Sequence, residues 1–503
     1  MIEIAREHNP FPTTGVSRGR DGIPRYDELP ATLVDMLADQ VDARPDSEAV
    51  VELGGGRLTY RQLWDRAARV AGGLRADGLR RGDRVAVRYP AGIDWVLAFW
   101  GTVLAGGVAV AVNTRSAQPE VDFVLSDSGA RLQLAPGDPL PDGKPYVTEQ
   151  LGAADTAALF YTSGTTGYPK GVPTTHEAFL TNTENAIRCL QQPRDLGEDM
   201  RTLISVPLFH VTGCNSQLLA AARLGGASVI LPALDLDALL NAVVAERVSV
   251  MVTVPAIYAL LLRHKDFAGT DVSRVRWVGY GGAPIAPSLV RTVKDAFPHA
   301  TVFNGYGMTE TASLMTVLPD REAVEHADSV GYAVPSVDLG LIPFGDNEPG
   351  VGELVTPRRQ RDRRLLESAA GHREHLRRGL AAHRRRGARR RRRPGAHHRP
   401  AQGHHQPRRR ERLQRRGRGG AAGCARRRGC VRAGGARRRD GRESGGGAVR
   451  RRRHRRAGGA RALPWPAGRL QGAAVRYGRR RPTAAQCRRQ AAQGQTARPG
   501  ALG

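Results

Sequence analysis

The chain has 503 residues and a formal net charge of +29, long enough for more than one domain and a large core. The charge is unevenly placed: residues 357–503 hold 47 of the 77 basic residues, all arginine, and 6 of the 48 acidic ones, leaving 30 basic and 42 acidic residues before Pro357. The basic average, which alone would point to nucleic acid, therefore does not describe the first 356 residues, which read as a mildly acidic globular protein. No apolar run approaches the roughly 20 residues needed to span a bilayer, and the opening MIEIAREHNPFP lacks the basic-then-apolar layout of a secretory signal. Only Cys189 and Cys214 precede the arginine-rich part, too few for a disulfide framework or a zinc site. Cytoplasm is the expected compartment.

Residues 1–30 are polar and proline-bearing and are expected to form an irregular lead-in. Segments 33–41 and 63–74 carry helical spacing, the second introduced by Thr59 and Tyr60 in LTYRQL. DRVAVRY follows a Gly-Asp turn as a strand, 95–104 is an apolar helix, and VAVAVN at 108–113 is a buried strand. Residues 157–160 form an apolar run that feeds YTSGTTGYPKG, residues 161–171. Further strands are predicted at TLISVP (202–207), ASVIL (227–231), VSVMVTVP (248–255), VRWVGYGG (275–282) and ATVFNGYG (300–307), with helices at 237–246 and 288–297 between them. Strands alternating with helices at this spacing predict an α/β fold with parallel sheets. In such sheets ligands bind beyond the carboxyl ends of strands. The segments PLFHVTG, VPAIY, GGAPI and NGYGMTE are thus expected to form loops that converge with residues 161–171 on one cleft.

Two of these segments suggest chemistry. YTSGTTGYPKG combines glycines that allow close backbone approach, hydroxyls that donate to phosphate oxygens, and the charge of Lys170. It is not a Walker A loop, because Gly164, Gly167 and Lys170 sit three apart. A Ser/Thr/Gly surface loop has the same composition. In NGYGMTE, Tyr306 offers a stacking surface beside two glycines, Thr309 a hydroxyl and Glu310 a hard oxygen ligand suited to magnesium. Taken alone, that stretch also fits a turn with a helix cap.

Together and in order, YTSGTTGYPKG, PLFHVTG, GGAPIAPSL, NGYGMTE and VGEL resemble the adenylate-forming superfamily, in its acyl-CoA synthetase branch, with LTYRQL and LAGGVAVAVN in support. The resemblance covers residues 31–356 and implies the large N-terminal domain of that fold. It implies that Thr162, Ser163, Gly164, Thr165, Thr166, Gly167 and Lys170 hold the ATP phosphates, with Thr165 also near the metal. Gly282, Ala283 and Pro284 would line adenine, with Tyr306 stacked on it and Asn304, Gly305 and Gly307 shaping that wall. Thr309 would contact the α-phosphate and the substrate carboxylate, Glu310 would bind Mg²⁺, and His210 would stand between the ATP and acyl pockets. Leu208, Phe209, Val211, Val254, Ile257 and Tyr258 would line an apolar acyl pocket, and Tyr258 reads as a pocket or core aromatic rather than a catalyst. The implied reaction joins a carboxylic acid to CoA through an acyl-adenylate. Amino-acid-activating relatives usually carry an aspartate in the segment after the histidine, and none lies between Val206 and Gln217. A carrier protein in place of CoA as acceptor is the alternative.

The family's later motifs are absent from residues 357–503. A nucleic-acid-binding tail is the direct reading, with RGRGG at 416–420 resembling an RGG segment. The tail has no lysine, and its only aromatics are Trp465 and Tyr477. Its arginine, glycine, alanine and proline codons are GC-rich, as in a shifted reading frame. Shifting each codon by one base lets 379–388, GLAAHRRRGA, read GWLHTGDVA, and lets 403–414 read DIINRGGENVYS. The same frame lets 486–496 read NAGGKPLKGK and 365–368 read YWNR. These resemble the missing motifs in order and in one frame, so the frame is expected to slip near 356–358. The family's ribose-binding aspartate would then lie over Arg385, its hinge near 400–403 and its catalytic lysine over Gln490. As read, the tail replaces the small C-terminal domain, is too charged and too poor in apolar residues to offset chain entropy, and is expected to be disordered. No specific nucleic-acid partner is expected.

Overall fold

A computed structural model of the protein describes residues 2–162, 169–343, 352–357 and 380–383. The expected disorder of the rest of 357–503 lies outside the described residues. The first long helix, Leu33–Ala43, is capped by the Thr32 hydroxyl. The helix Tyr60–Ala76 begins in a capping box: the Thr59 hydroxyl accepts the Gln62 N–H at 3.2 Å and the Gln62 side chain accepts the Thr59 N–H at 3.1 Å. LTYRQL is thus a helix-start signal before anything else. The apolar helix Ile93–Leu104 is buried except at Asp94 in its first turn, with Trp95 stacked on Phe99 at 5.3 Å. An element apolar on every face belongs in the interior, and this one sits at the centre of the largest core cluster.

Two large sheets carry the fold. The first has five strands in the order Lys170–Thr175, Thr156–Thr162, Val108–Ala111, Arg84–Val87 and Ala130–Leu134; all pair in parallel except the first, which is antiparallel. The second has nine, from Tyr332–Ala333 through Ser313–Leu318, Thr301–Met308, Trp277–Gly281, Val250–Thr253, Arg201–Ile204, Ala227–Ile230 and Glu48–Glu52 to Arg57–Thr59. Its middle six strands are parallel and its outer pairings antiparallel. The parallel α/β reading holds for the centre of both sheets. Arg201 locks the middle of the larger one through ion pairs to Glu48 (2.8 Å) and Glu246 (2.6 Å). A smaller antiparallel sheet joins Ile2–Glu3, Gly340–Pro343, Gly352–Pro357 and Leu380–His383. Within the lead-in, Val16–Arg18 and Pro24–Tyr26 form a hairpin.

NGYGMTE carries two expectations, the end of the strand 300–307 and a loop, and the strand is what forms. As predicted for 300–307, residues 304–307 lie in a strand, Thr301–Met308, which extends one residue further; the loop expected of the same residues does not form. The parallel neighbour ends at Gly281, opposite Gly305, so the strand runs three residues further, held by Ser313–Leu318 alone. The glycine-rich composition reads as a turn because the antiparallel partner that makes it a strand lies later in the chain.

Candidate active site

Thr162 and Lys170 face each other at the neck of the Ser/Thr/Gly loop. They are the terminal register pair of two antiparallel strands, followed by Gly171 opposite Tyr161. Pairing fixes where the loop leaves and returns, so the Lys170 ammonium and the Thr162 hydroxyl belong to one rim. The Tyr161 hydroxyl donates to Asp127 Oδ2 at 2.7 Å. Burial, and secondarily Asp127, hold that phenol far above its ordinary range, so it is a structural donor. Ser163, Gly164, Thr165, Thr166 and Gly167 lie outside the described residues.

The strand end at Met308 passes into one turn of 3₁₀ helix, Thr309–Thr311, which packs against the strand Thr156–Thr162. The turn holding Thr309 and Glu310 therefore lies against the strand that ends at the loop neck, with both side chains partly exposed. The buried Thr311 hydroxyl closes the turn, accepting the Met308 N–H at 3.2 Å and lying 3.0 Å from the Met308 carbonyl and 3.1 Å from the Ser313 carbonyl. Gly307 is required here: a Cβ would sit 1.4 Å from the Ser313 carbonyl oxygen. This glycine serves strand contact, where the sequence suggested room for a flat group. Tyr306 is 7% exposed and packs in a core cluster with Met315 and Val317. Asn304 reaches the Ser329 carbonyl at 3.3 Å.

Gly282, Ala283 and Pro284 leave the carboxyl end of Trp277–Gly281, beside the strand carrying Tyr306. Gly282 has φ +72°, which favours glycine, and a Cβ there would meet only Val254 at 3.8 Å. Gly282 and Pro284 are exposed, which leaves open space along one side of the segment. His210 follows the strand Arg201–Ile204 and starts the short helix Val211–Gly213. Burial, and secondarily Arg115, push its imidazole down to about 4, so it is neutral near pH 7. Phe209 lies against it at 4.7 Å.

The six apolar residues expected to line one pocket divide between two core clusters. Leu208, Phe209 and Val211 belong to the first, and Ile257 and Tyr258 to the second, with Val254 packed on it. Tyr258 is fully buried, its hydroxyl 3.0 Å from the carbonyls of Met251 and Gly279; it is a core residue. The polar residues that brace the Glu310 turn, Asn182, Asn215 and Ser216, have no sequence signal beyond being polar in helical, largely apolar surroundings.

A family described as AMP-binding enzyme matches residues 37–148 and 135–356. The chain is 32% identical over 355 residues to a long-chain-fatty-acid–CoA ligase, FadD13, of Mycobacterium tuberculosis, covering 64% of this chain and 69% of that one. It is 35% identical over 328 residues to a feruloyl-CoA synthase of Amycolatopsis, covering 61% and 66%. The chain thus spans about two thirds of the length of these relatives. Among solved structures, the inhibitor-bound N-terminal domain of FACL13 from Mycobacterium tuberculosis is similar at a TM-score of 0.63 and 28% identity, over 70% of this chain and 95% of that domain. The o-succinylbenzoate CoA synthetase of Bacillus subtilis in complex with ATP and magnesium ion shares the fold, at a TM-score of 0.62 and 23% identity over 69% and 75%. The family match extends over more than half of the chain, from residue 37 to residue 356 within the Gly352–Pro357 strand, and includes both the loop neck and the Glu310 turn: the protein belongs to the AMP-binding enzyme family.

Proposed function

We propose that residues 31–356 carry the acid-activating half of an ATP-dependent acyl-CoA ligase, which joins a carboxylic acid to CoA through an acyl-adenylate. The observation that carries this reading is the packing of the Thr309–Thr311 turn against the strand whose end pairs Thr162 with Lys170. That packing supports a site drawing on hydroxyls, one ammonium and one carboxylate, a donor set suited to polyphosphate and a hard cation. In the proposed site Thr162 and Lys170 grip the phosphates together with Ser163, Gly164, Thr165, Thr166 and Gly167. The segment 282–284 and Tyr306 flank the base, and Thr309 orients the α-phosphate and the attacking carboxylate. Glu310 fits Mg²⁺ as a partly exposed carboxylate on a fixed turn; the ion, when bound, would neutralise phosphate charge. The acid attacks the α-phosphorus, a bond to pyrophosphate breaks, and no enzyme nucleophile is needed; catalysis is charge stabilisation and alignment. Neutral His210 borders the acid without adding positive charge. The apolar part of the acid would lie toward Leu208, Phe209 and Val211.

The tail belongs to the same reading. A slipped frame near 356–358 removes the lysine expected over Gln490 and the mobile domain that would carry it. Adenylation in the chain as read is then slowed by on the order of 10²–10³, by analogy with the loss of one preorganised donor, and transfer to CoA is essentially lost. Acid-dependent exchange of labelled pyrophosphate into ATP tests the first step. A panel containing a long-chain fatty acid and ferulic acid is expected to support slow exchange, and Lys170→Met to lower it about 10–100-fold, the value of one charge-assisted contact. Exchange that is independent of any acid, or unchanged in Lys170→Met, would sink the assignment.

A further inference from the structure

The turn carrying Glu310 is followed by two consecutive non-glycine residues with left-handed backbone, Ala312 (φ 55°) and Ser313 (φ 106°). Such conformations persist only where the surroundings over-determine them, and they cluster at functional sites. Three side chains from outside the turn supply that constraint. The Asn215 amide donates to the Ala312 carbonyl, Ser216 Oγ lies 2.8 Å from Ser313 Oγ, and the Leu314 N–H donates to Asn182 Oδ1 at 2.7 Å. Asn182 and Asn215 are fully buried. Asn215 and Ser216 are successive residues of a π-helical segment, Cys214–Leu219, a geometry that is rare and recurs at functional sites. The Asn215 contact therefore joins the segment after His210 to the backbone two residues from Glu310.

Resting on the proposed role of Glu310 as the metal-binding carboxylate, we infer that Asn215 is a positioning residue: its amide holds the backbone after Thr311 in the one conformation that aims Glu310 at the metal–nucleotide complex. A purely structural asparagine would weaken nucleotide binding with and without metal alike. A positioning one affects only the metal-dependent part.

The test is calorimetric titration of ATP into the full chain over a series of Mg²⁺ concentrations and in EDTA. Asn215→Ala is expected to raise the Mg²⁺ needed for half-maximal binding about tenfold, the value of one hydrogen bond, and to leave metal-free ATP affinity unchanged. Glu310→Gln should show the same selective loss, and the double variant should be no worse than Glu310→Gln. Ala312→Gly, which adopts the left-handed backbone without help, should recover most of the loss in Asn215→Ala. Should Asn215→Ala fail to fold, Asn215→Leu removes the donor at similar side-chain size and is held to the same outcome. Equal loss with and without metal, or no loss while Glu310→Gln shows one, overturns the inference. A wild-type chain with no Mg²⁺-dependent ATP binding, or a silent Glu310→Gln, overturns the functional reading beneath it, and the inference with it.

Discussion

His176 shows how one side chain sets a pH limit on the fold. It opens the helix His176–Cys189 directly after the Lys170 strand, is 1% exposed, and accepts the Leu33 N–H on Nδ1 at 3.1 Å. That bond requires Nδ1 to be unprotonated. Burial pushes the imidazole down to about 4, against smaller upward pulls from Asp155 and Asp35. Above pH 6.5 the ring is neutral folded and unfolded, and no linkage arises. As pH falls below 6.5 the unfolded chain takes up a proton that the native state refuses, so stability drops by up to about 1.4 kcal/mol per pH unit. The loss ends near pH 4, where the native ring also protonates. His210, depressed to a similar value by burial, adds a slope of the same sign. His176→Asn, which keeps an acceptor for Leu33 without a titrating group, should flatten the fall in urea stability between pH 6.5 and 5. An unchanged slope would show that His176 is not the responsible group.

The strand Thr301–Met308 and its partner Ser313–Leu318 hold the two sides of the candidate site together, and their glycines differ sharply in what they tolerate. A Cβ on Gly305 would meet the flexible tip of Leu314, at 3.2 Å, and the Phe303 ring at 4.0 Å, while one on Gly307 collides with the Ser313 backbone. Gly307→Ala is expected to cost about 1–3 kcal/mol, as overpacking does, and to abolish Mg²⁺-dependent ATP binding because the Glu310 turn must move. Gly305→Ala should cost less than 1 kcal/mol. Thermal denaturation of the two variants side by side checks the contrast, and equal losses would contradict the geometry. The same strand marks how far the sequence could be read. Central strands such as Val250–Thr253 and Trp277–Gly281 were legible because buried parallel strands are unbroken apolar runs, and the rule that ligands gather at their carboxyl ends brought the loops to one side. Residues 304–307 read both as the end of the strand 300–307 and as a loop, and only the non-local pairing with Ser313–Leu318 decides for the strand. Asn182 and Asn215 were invisible for a related reason: a lone asparagine on a helix acquires meaning only from the backbone it reaches.

For the whole molecule, the sharpest fact is the break in composition near residue 357, where an acidic α/β protein gives way to a segment holding 47 arginines and no lysine. Beyond that break the described residues include one strand, Leu380–His383, paired antiparallel with Gly352–Pro357. The shifted frame reads those four positions as Trp-Leu-His-Thr. The consequence is a division of labour between the two parts of the chain. If the proposed slip is right, the nucleotide contacts proposed for residues 31–356 would survive it, whereas the groups expected over Arg385 and Gln490 would not. The protein translated in the shifted frame after Thr356 should therefore bind Mg·ATP about as well as the chain as read. It should exchange pyrophosphate about 10²–10³-fold faster, the scale of one preorganised donor, and form acyl-CoA where the chain as read forms essentially none. The arginine tail should bind DNA non-specifically, with affinity falling steeply as salt rises, and the shifted-frame protein should lose that binding. Equal exchange rates in the two proteins, or an uninterrupted reading frame at the locus that encodes this same tail, would refute the slip and return residues 357–503 to the status of an evolved basic extension.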